Sequence, residues 1–317
     1  MRVVAGSEAL PGPLRHAVVT VGNFDGLHVG HREILRIVTE RARLRSGESA
    51  VYTFEPHPRK VLRPGAAPKL LTTLEQKLEL IEEAGVDVAV VERFDLEFAR
   101  RSAIEFVRDV LYARLRPEEV YVGYDFRFGH DREGSMRTLT ELGPHLGFAV
   151  TIVPEVTVGG RDVNSTRIRE LLEAGQVEEA RVLLGRPYRV RGRVVEGDRR
   201  GRTLGFPTVN LEAENEVLPA EGVYAGRLRV LRGAPAGADA ELPAVVNVGR
   251  RPTFKGDAAP VLAEAHVIDW SGDLYGERVE LGFVHRLREE RRFPDVEALR
   301  RQIAADRDAA RRRLAAR

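Results

Sequence analysis

Two histidines three residues apart, His28 and His31, close the glycine-punctuated run Gly22-Asn23-Phe24-Asp25-Gly26-Leu27-His28-Val29-Gly30-His31. Glycines permit a tight turn and close backbone approach to a ligand. A helix beginning there presents unpaired N–H groups and a positive dipole end to an anion. Gly22, Phe24 and Gly30 are thus candidate contacts to a nucleotide phosphate. Residues at i and i+3 share a side of the first helical turn, so both imidazoles can donate hydrogen bonds to phosphate oxygens as charge builds in a transition state. Two plainer readings compete. The pair can be solvent-facing residues of a capped helix, and His-x-x-His can open a zinc site, although no third ligand of obvious spacing follows. The run sits between an apolar strand pattern and a helical one, and that context favours phosphate.

A second constellation spans Gly192-Arg193-Val194-Val195-Glu196-Gly197-Asp198 and Gly201-Arg202-Thr203-Leu204-Gly205-Phe206-Pro207-Thr208-Val209-Asn210. Gly197, Gly201 and Gly205 let backbone amides wrap phosphates. Thr208 and Asn210 alternate onto one face of an extended segment, and their hydroxyl and carboxamide oxygens are hard ligands suited to Mg²⁺. A glycine-rich hairpin accounts for the glycines but not for the Thr-x-Asn pair. Between the two constellations, Ser165 and Thr166 stand at a helix start with hydroxyl and backbone donors, and Arg169 follows one turn on with a permanent positive charge. An ordinary helix cap explains the first two equally well. His57 lies between prolines on a stiff loop, and Asp125 precedes Phe126 and Phe128, which suit a pocket wall or the core alike.

The elements that position these residues fall into two textures. Over 17–153, apolar runs at 17–22, 50–54, 86–91, 120–123 and 148–153 alternate with helix-length segments, which predicts a doubly wound parallel sheet with helices on both faces. Ligands of such sheets bind beyond the carboxyl ends of the strands, so the motifs at 22–31, 55–58 and 124–129 should converge on one rim. Two short helices follow at 165–172 and 177–184, broken at Gly175. From Tyr188 onward, strand-like segments near 188–196, 222–231, 242–248, 261–269 and 278–285 predict an antiparallel β-barrel or sandwich. A last helix over about 295–315 is capped by Pro294-Asp295. The expected division is 1–185 and 186–317, with 232–240 a loop of no function of its own.

Composition narrows the class. The 317 residues are 43% hydrophobic and 31% charged, an ordinary globular balance. No apolar run approaches the roughly 18 residues of a membrane span, and Met1–Pro13 lacks the pattern of a signal peptide. The absence of cysteine removes disulfides, thiolate metal sites and Cys nucleophiles. These features point to a cytoplasmic protein without a membrane partner. Only 4 of the 50 basic residues are lysine, and arginine is the phosphate-binding cation of choice. Yet the net charge is +2 and most arginines are interleaved with Glu and Asp, as on solvated helix faces, so no nucleic-acid partner is expected.

Gly22–His31 resembles the signature of the nucleotidyltransferase superfamily. With Phe54-Glu55-Pro56-His57-Pro58, Val122–Gly129, Asn164–Arg169 and the Gly-Phe-Pro-Thr-x-Asn stretch, nearly the whole chain resembles the bacterial bifunctional riboflavin kinase/FAD synthetases. Further matches are Gly222-Val223-Tyr224-Ala225, Asn247-Val248-Gly249, Arg251–Phe254, Glu264-Ala265-His266 and Gly272–Gly276. The resemblance implies an N-terminal α/β adenylyltransferase domain and a C-terminal β-barrel kinase domain with a terminal helix. Riboflavin, FMN, FAD and ATP/ADP are then the partners, with Mg²⁺ accompanying ATP. By the same resemblance His28 and His31 bind ATP phosphates, Ser165 and Thr166 assist, and Arg169 serves the departing pyrophosphate. His57, Asp125, Phe126 and Phe128 line the nucleotide and flavin pocket. Thr208 and Asn210 bind magnesium-ATP, Glu264 is the base, and Arg288 and Phe293 flank the flavin ring, although Phe293 fits a core position equally. Asn164 stands where the family usually has a first serine. Rivals are an adenylyltransferase with another acceptor, such as pantetheine phosphate or nicotinate mononucleotide, and a flavin-binding regulator without turnover.

Overall fold

Ala17–Val21 is buried at all five positions, as a strand must be when helices cover both faces of its sheet. It is β2 of a six-stranded, wholly parallel sheet formed by β1 (Arg2–Ala5), β2, β3 (Ser49–Glu55), β4 (Val88–Arg93), β5 (Pro117–Gly123) and β6 (Ala149–Val153), in the spatial order β1-β4-β3-β2-β5-β6. The computed structural model describes residues 1–196, 206–231, 241–250 and 261–315 and forms two bodies, Met1–Asn164 and Ser165–Arg317. Gly197, Gly201 and Gly205, and the match at Arg251–Phe254, lie outside the described residues.

In the first body, α1 (Val29–Leu44) and α3 (Leu74–Glu83) cover one face: Val38 packs with Val18, and Leu35 and Ile81 pack with Val51. The other face packs Val19, Tyr52, Val90 and Val120 against Phe106, Val107, Val110 and Leu139. Those last four come from α4 (Ala103–Glu105, widening into a π-helical stretch at Phe106–Leu115) and α5 (Met136–His145). Capping boxes at Thr73 and Ser102, closed by Gln76 and Glu105, fix where α3 and α4 begin. A short helix, α2 (Pro58–Leu62), follows β3, and a small hairpin, β7 (Thr157–Val158) and β8 (Arg161–Asp162), follows β6. The chain lays β3 and β4 on one flank of β2 and then returns to place β5 on the other. The carboxyl ends of β2 and β5 therefore border the point where strand order reverses, where doubly wound sheets bind ligands.

The second body opens with the helical hairpin α6 (Ser165–Glu173) and α7 (Val177–Leu184). Glu178 accepts the backbone N–H of Arg286, and the Leu172 carbonyl accepts that of Ala220, so the hairpin is tied to the barrel. Six antiparallel strands close that barrel: β9 (Tyr188–Val195), β10 (Val209–Ala213), β11 (Gly222–Val230), β12 (Leu242–Arg250), β13 (Val261–Val267) and β14 (Arg278–Arg288), ordered β10-β13-β12-β11-β14-β9. Val223, Ala225, Val245 and Val284 face outward against Ala310 and Leu314 of α8 (Val296–Ala315). Alternation turns Tyr224 inward, where it meets Phe283 edge to face at 5.4 Å. The cap predicted at Asp295 is present: its Oδ1 accepts the Ala298 N–H at 2.7 Å.

Candidate active sites

After β2 the backbone enters the left-handed region at Phe24 (φ 51°), Gly26 (φ 76°) and Leu27 (φ 37°). Phe24 and Leu27 hold that shape by inserting into a cluster with Leu35, Val51, Ile81 and Val86. Phe24, expected at the phosphates, is 2% exposed, so only its backbone can meet a nucleotide. At Gly26 a Cβ would stand 2.6 Å from Leu71 Cδ1, so close packing as well as φ demands glycine. Beneath the turn, the buried Asp25 carboxylate accepts the Leu71 and Thr72 N–H groups at 3.0 and 3.2 Å. From α3, the buried Lys77 Nζ donates to Asn23 O (3.4 Å), Thr53 Oγ1 (3.4 Å) and Phe54 O (3.3 Å), joining the ends of β2 and β3. Burial pushes the Lys77 pKa down, with Glu55 and Asp25 opposing that shift. Sequence reasoning missed Lys77, because a lysine in an amphipathic helix reads as surface.

His28 is the N-cap of α1, and its Nδ1 accepts the His31 N–H at 3.3 Å. In a neutral imidazole the proton then sits on Nε2, leaving that nitrogen as the donor. The two rings stack, centroids 3.6 Å apart and 17° from parallel, with Phe24 edge-on to His31 at 5.2 Å. Gly30 makes this possible, since a Cβ there would lie 3.2 Å from His28 Nδ1. The result is a rigid pair of imidazoles at the positive end of a 16-residue helix.

Around the same rim, His57 caps α2, its Nδ1 accepting the Arg59 N–H at 3.1 Å. Asp125 is exposed in the turn after β5, which the Phe126 N–H closes onto the Gly123 carbonyl at 3.1 Å. Phe128 is 8% exposed and packs on Phe106, a core position rather than a pocket wall. Phe126 stacks on it at 5.3 Å and remains half-buried. Phe54, Phe94 and Phe98 continue this apolar surface past the ends of β3 and β4. The last predicted set belongs to the second body. On α6, Ile168, Leu171 and Leu172 are buried, while Ser165 and Arg169, one turn apart, share another face and Thr166 is exposed.

On the barrel, strand register builds the second site. Asn210 of β10 stands directly opposite Glu264 of β13, and Glu264 stands opposite Asn247 of β12. Directly opposed residues of antiparallel strands share a face, so the three form one polar row. Asn210 is 5% exposed and its Oδ1 has no hydrogen-bond partner among the described residues. A buried, unpaired hard oxygen two residues from the Thr208 hydroxyl fits a small divalent cation. His266, also on β13 and unused by sequence reasoning, donates from Nδ1 to the Pro207 carbonyl at 2.9 Å and thereby fixes the approach to Thr208. The Arg288 guanidinium is engaged by Asp306 of α8 (Nη2 to Oδ2, 2.7 Å) and lies 5.7 Å from the Phe293 ring. The Arg288 side chain is therefore committed to that ion pair. Phe293, half-buried, borders an open hollow of about 410 Å³ with Arg291, Arg292 and Arg301.

Two family descriptions match in tandem: FAD synthetase over residues 11–167 and riboflavin kinase over 184–314. The bifunctional riboflavin kinase/FMN adenylyltransferase of Escherichia coli K12 is 39% identical over 307 residues, covering 96% of each chain. This chain belongs to that family. The Bacillus subtilis member is 36% identical over 299 residues, 93% of this chain and 91% of that one. A solved Streptococcus pneumoniae structure described as a macrolide-efflux protein superposes with a TM-score of 0.85 at 30% identity, covering 98% of each chain. Among the described residues no helix is long and apolar enough to cross a membrane. In family terms, the stacked histidines fall within the FAD synthetase match and the polar row within the riboflavin kinase match.

Proposed function

We infer that the family's two reactions divide along the chain, with a nucleotidyl-transfer site on residues 1–185 and a phosphoryl-transfer site on residues 186–317. The enzyme phosphorylates riboflavin with ATP to FMN and ADP, then joins FMN to the AMP portion of a second ATP, giving FAD and pyrophosphate. Both steps are in-line displacements at phosphorus, governed by positioning and charge stabilisation. One observation carries this reading: two chemically different anion-handling sets stand on two separate bodies, stacked imidazoles at a helix N-terminus and a carboxylate between carboxamides on a barrel.

For adenylyl transfer, His28 and His31 hold the ATP phosphates and stabilise charge at the α-phosphorus. Gly22 and Gly30 admit the nucleotide, while His57, Asp125 and the open face of Phe126 border FMN. The FMN phosphate is itself an anionic nucleophile, so this site needs no strong base. In the kinase step the nucleophile is a neutral alcohol, and Glu264 accepts its proton. Thr208 and Asn210 would hold Mg²⁺, whose chemistry is neutralisation of ATP phosphate charge. Gly197, Gly201 and Gly205 contribute backbone amides to the same phosphates, and Arg288 with Phe293 borders the flavin ring. A cytoplasmic enzyme drawing on ATP made there fits this reading.

The test is to incubate the protein with riboflavin, ATP and Mg²⁺ and separate FMN from FAD. His28→Ala should stop FAD formation while FMN still accumulates. Glu264→Ala should stop FMN formation yet make FAD when FMN is supplied. Loss of FMN formation in His28→Ala, or of FAD formation from supplied FMN in Glu264→Ala, would refute two independent sites.

A further inference from the structure

Strand register arranges five residues in one row across five strands: Asn210 (β10), Glu264 (β13), Asn247 (β12), Val223 (β11) and Arg288 (β14). Each is directly opposite the next, so all five share a face, at about 4.8 Å per strand. Val223 packs with Ala310 and Leu314, which identifies that face as the outer one, beneath α8. On the kinase reading of the barrel, on which this inference rests, the row has a direction. ATP lies at the Asn210 end, the proton acceptor is Glu264, and the flavin ring lies toward Arg288 and Phe293. Asn247 occupies the place between the base and the ring, where the ribityl chain must cross.

We propose that Asn247 recognises the ribityl hydroxyl beside the one phosphorylated, and so determines specificity for a polyol-bearing flavin. Opposed side chains carry their Cβ atoms about 5 Å apart, so groups from Glu264 and Asn247 reach neighbouring hydroxyls of one chain. The Asn247 carboxamide is half-buried and has no hydrogen-bond partner among the described residues. It both donates and accepts, as a hydroxyl does, and it adds no charge beside a carboxylate that must take up a proton. Space is provided two residues on, on the same face. A Cβ at Gly249 would lie 3.3 Å from Asn247 Nδ2 and 2.8 Å from Glu290 Oε1, so its absence keeps a shelf open between those groups.

The experiment compares kcat/KM for riboflavin and for its 4′-deoxy analogue in the wild-type chain and in Asn247→Ala, with the KM for ATP as the check that the barrel is intact. The expected result is a loss of about tenfold to a hundredfold with riboflavin in the variant, and of less than about threefold with the analogue. Equal losses on both flavins, or no loss on riboflavin, overturn the assignment. Asn247→Ser is read by the same two outcomes if Asn247→Ala does not fold. A wild-type chain that phosphorylates neither flavin would instead sink the kinase reading itself.

Discussion

Gly30→Ala adds one methyl group to the second position of α1, where the backbone conformation suits alanine. The new Cβ falls 3.2 Å from His28 Nδ1 and 3.3 Å from its Cε1. Comfortable contact between such atoms begins at about 3.5 Å, so the imidazole must retreat by roughly 0.3 Å. It is already confined by His31, stacked at 3.6 Å, and by the cap hydrogen bond of 3.3 Å. Retreat stretches that bond beyond use, a loss of about 1 kcal/mol, while alanine in place of glycine returns roughly 0.5–1 kcal/mol of helix propensity. Stability should therefore stay nearly level. Catalysis should not, because a displacement of about 1 Å at reacting groups costs on the order of a hundredfold and a third of that about fivefold to tenfold. Measured side by side, FAD formation from FMN and ATP should fall by about that factor, FMN formation from riboflavin should persist, and the melting temperature should move by only a few degrees. FAD formation within twofold of wild type would refute the claim that the stacked geometry governs adenylyl transfer.

Two further outcomes follow from buried charges. Glu119 accepts from Arg41 (Nη2, 2.6 Å), Arg45 (Nε, 2.6 Å) and Tyr121 (2.8 Å), and the Arg41 hydrogen bond leads in holding its pKa down, to about 2 from 4.5. A depressed carboxylate stabilises the fold fully above its unfolded pKa and loses that contribution as pH falls toward the folded value. Glu119→Gln should thus cost about 2–3 kcal/mol at pH 7, with the deficit shrinking between pH 4.5 and 2. Denaturation at several pH values checks this, and a pH-independent deficit would contradict it. Lys77→Met removes the donor shared by Asn23 O, Thr53 Oγ1 and Phe54 O. FAD formation should drop while riboflavin phosphorylation continues, and unchanged FAD kinetics would show that the clamp does not position the turn.

The sequence displayed most of the architecture, for physical reasons that differ by element. The strands at 17–21 and 88–93 are apolar runs of the right length between helices, so both-face burial was legible in their lack of alternation. β1, a four-residue border strand, was not anticipated, because so short a segment is defined by pairing with β4 rather than by its own pattern. The turn at 22–31 drew attention through its glycines and histidines. What braces it could not, since Lys77 and Thr72 arrive from a helix and a loop about fifty residues away in the chain. Phe24 and Phe128 show the limit of residue type as a guide: both stand in ligand-rich motifs, and both are spent on the core. Thr208 and Asn210 could be paired by alternation alone. The alignment of Asn210 with Glu264 and Asn247 depends on inter-strand register, which a linear reading does not contain.

A sheet closed into a cylinder has no border at which another chain's backbone can dock, and the kinase barrel is closed. The six-stranded sheet of the first body is open, bordered by β1 and β6. Any strand-by-strand association of this enzyme, whether ordered or pathological, would therefore begin in the adenylyltransferase half and spare the barrel.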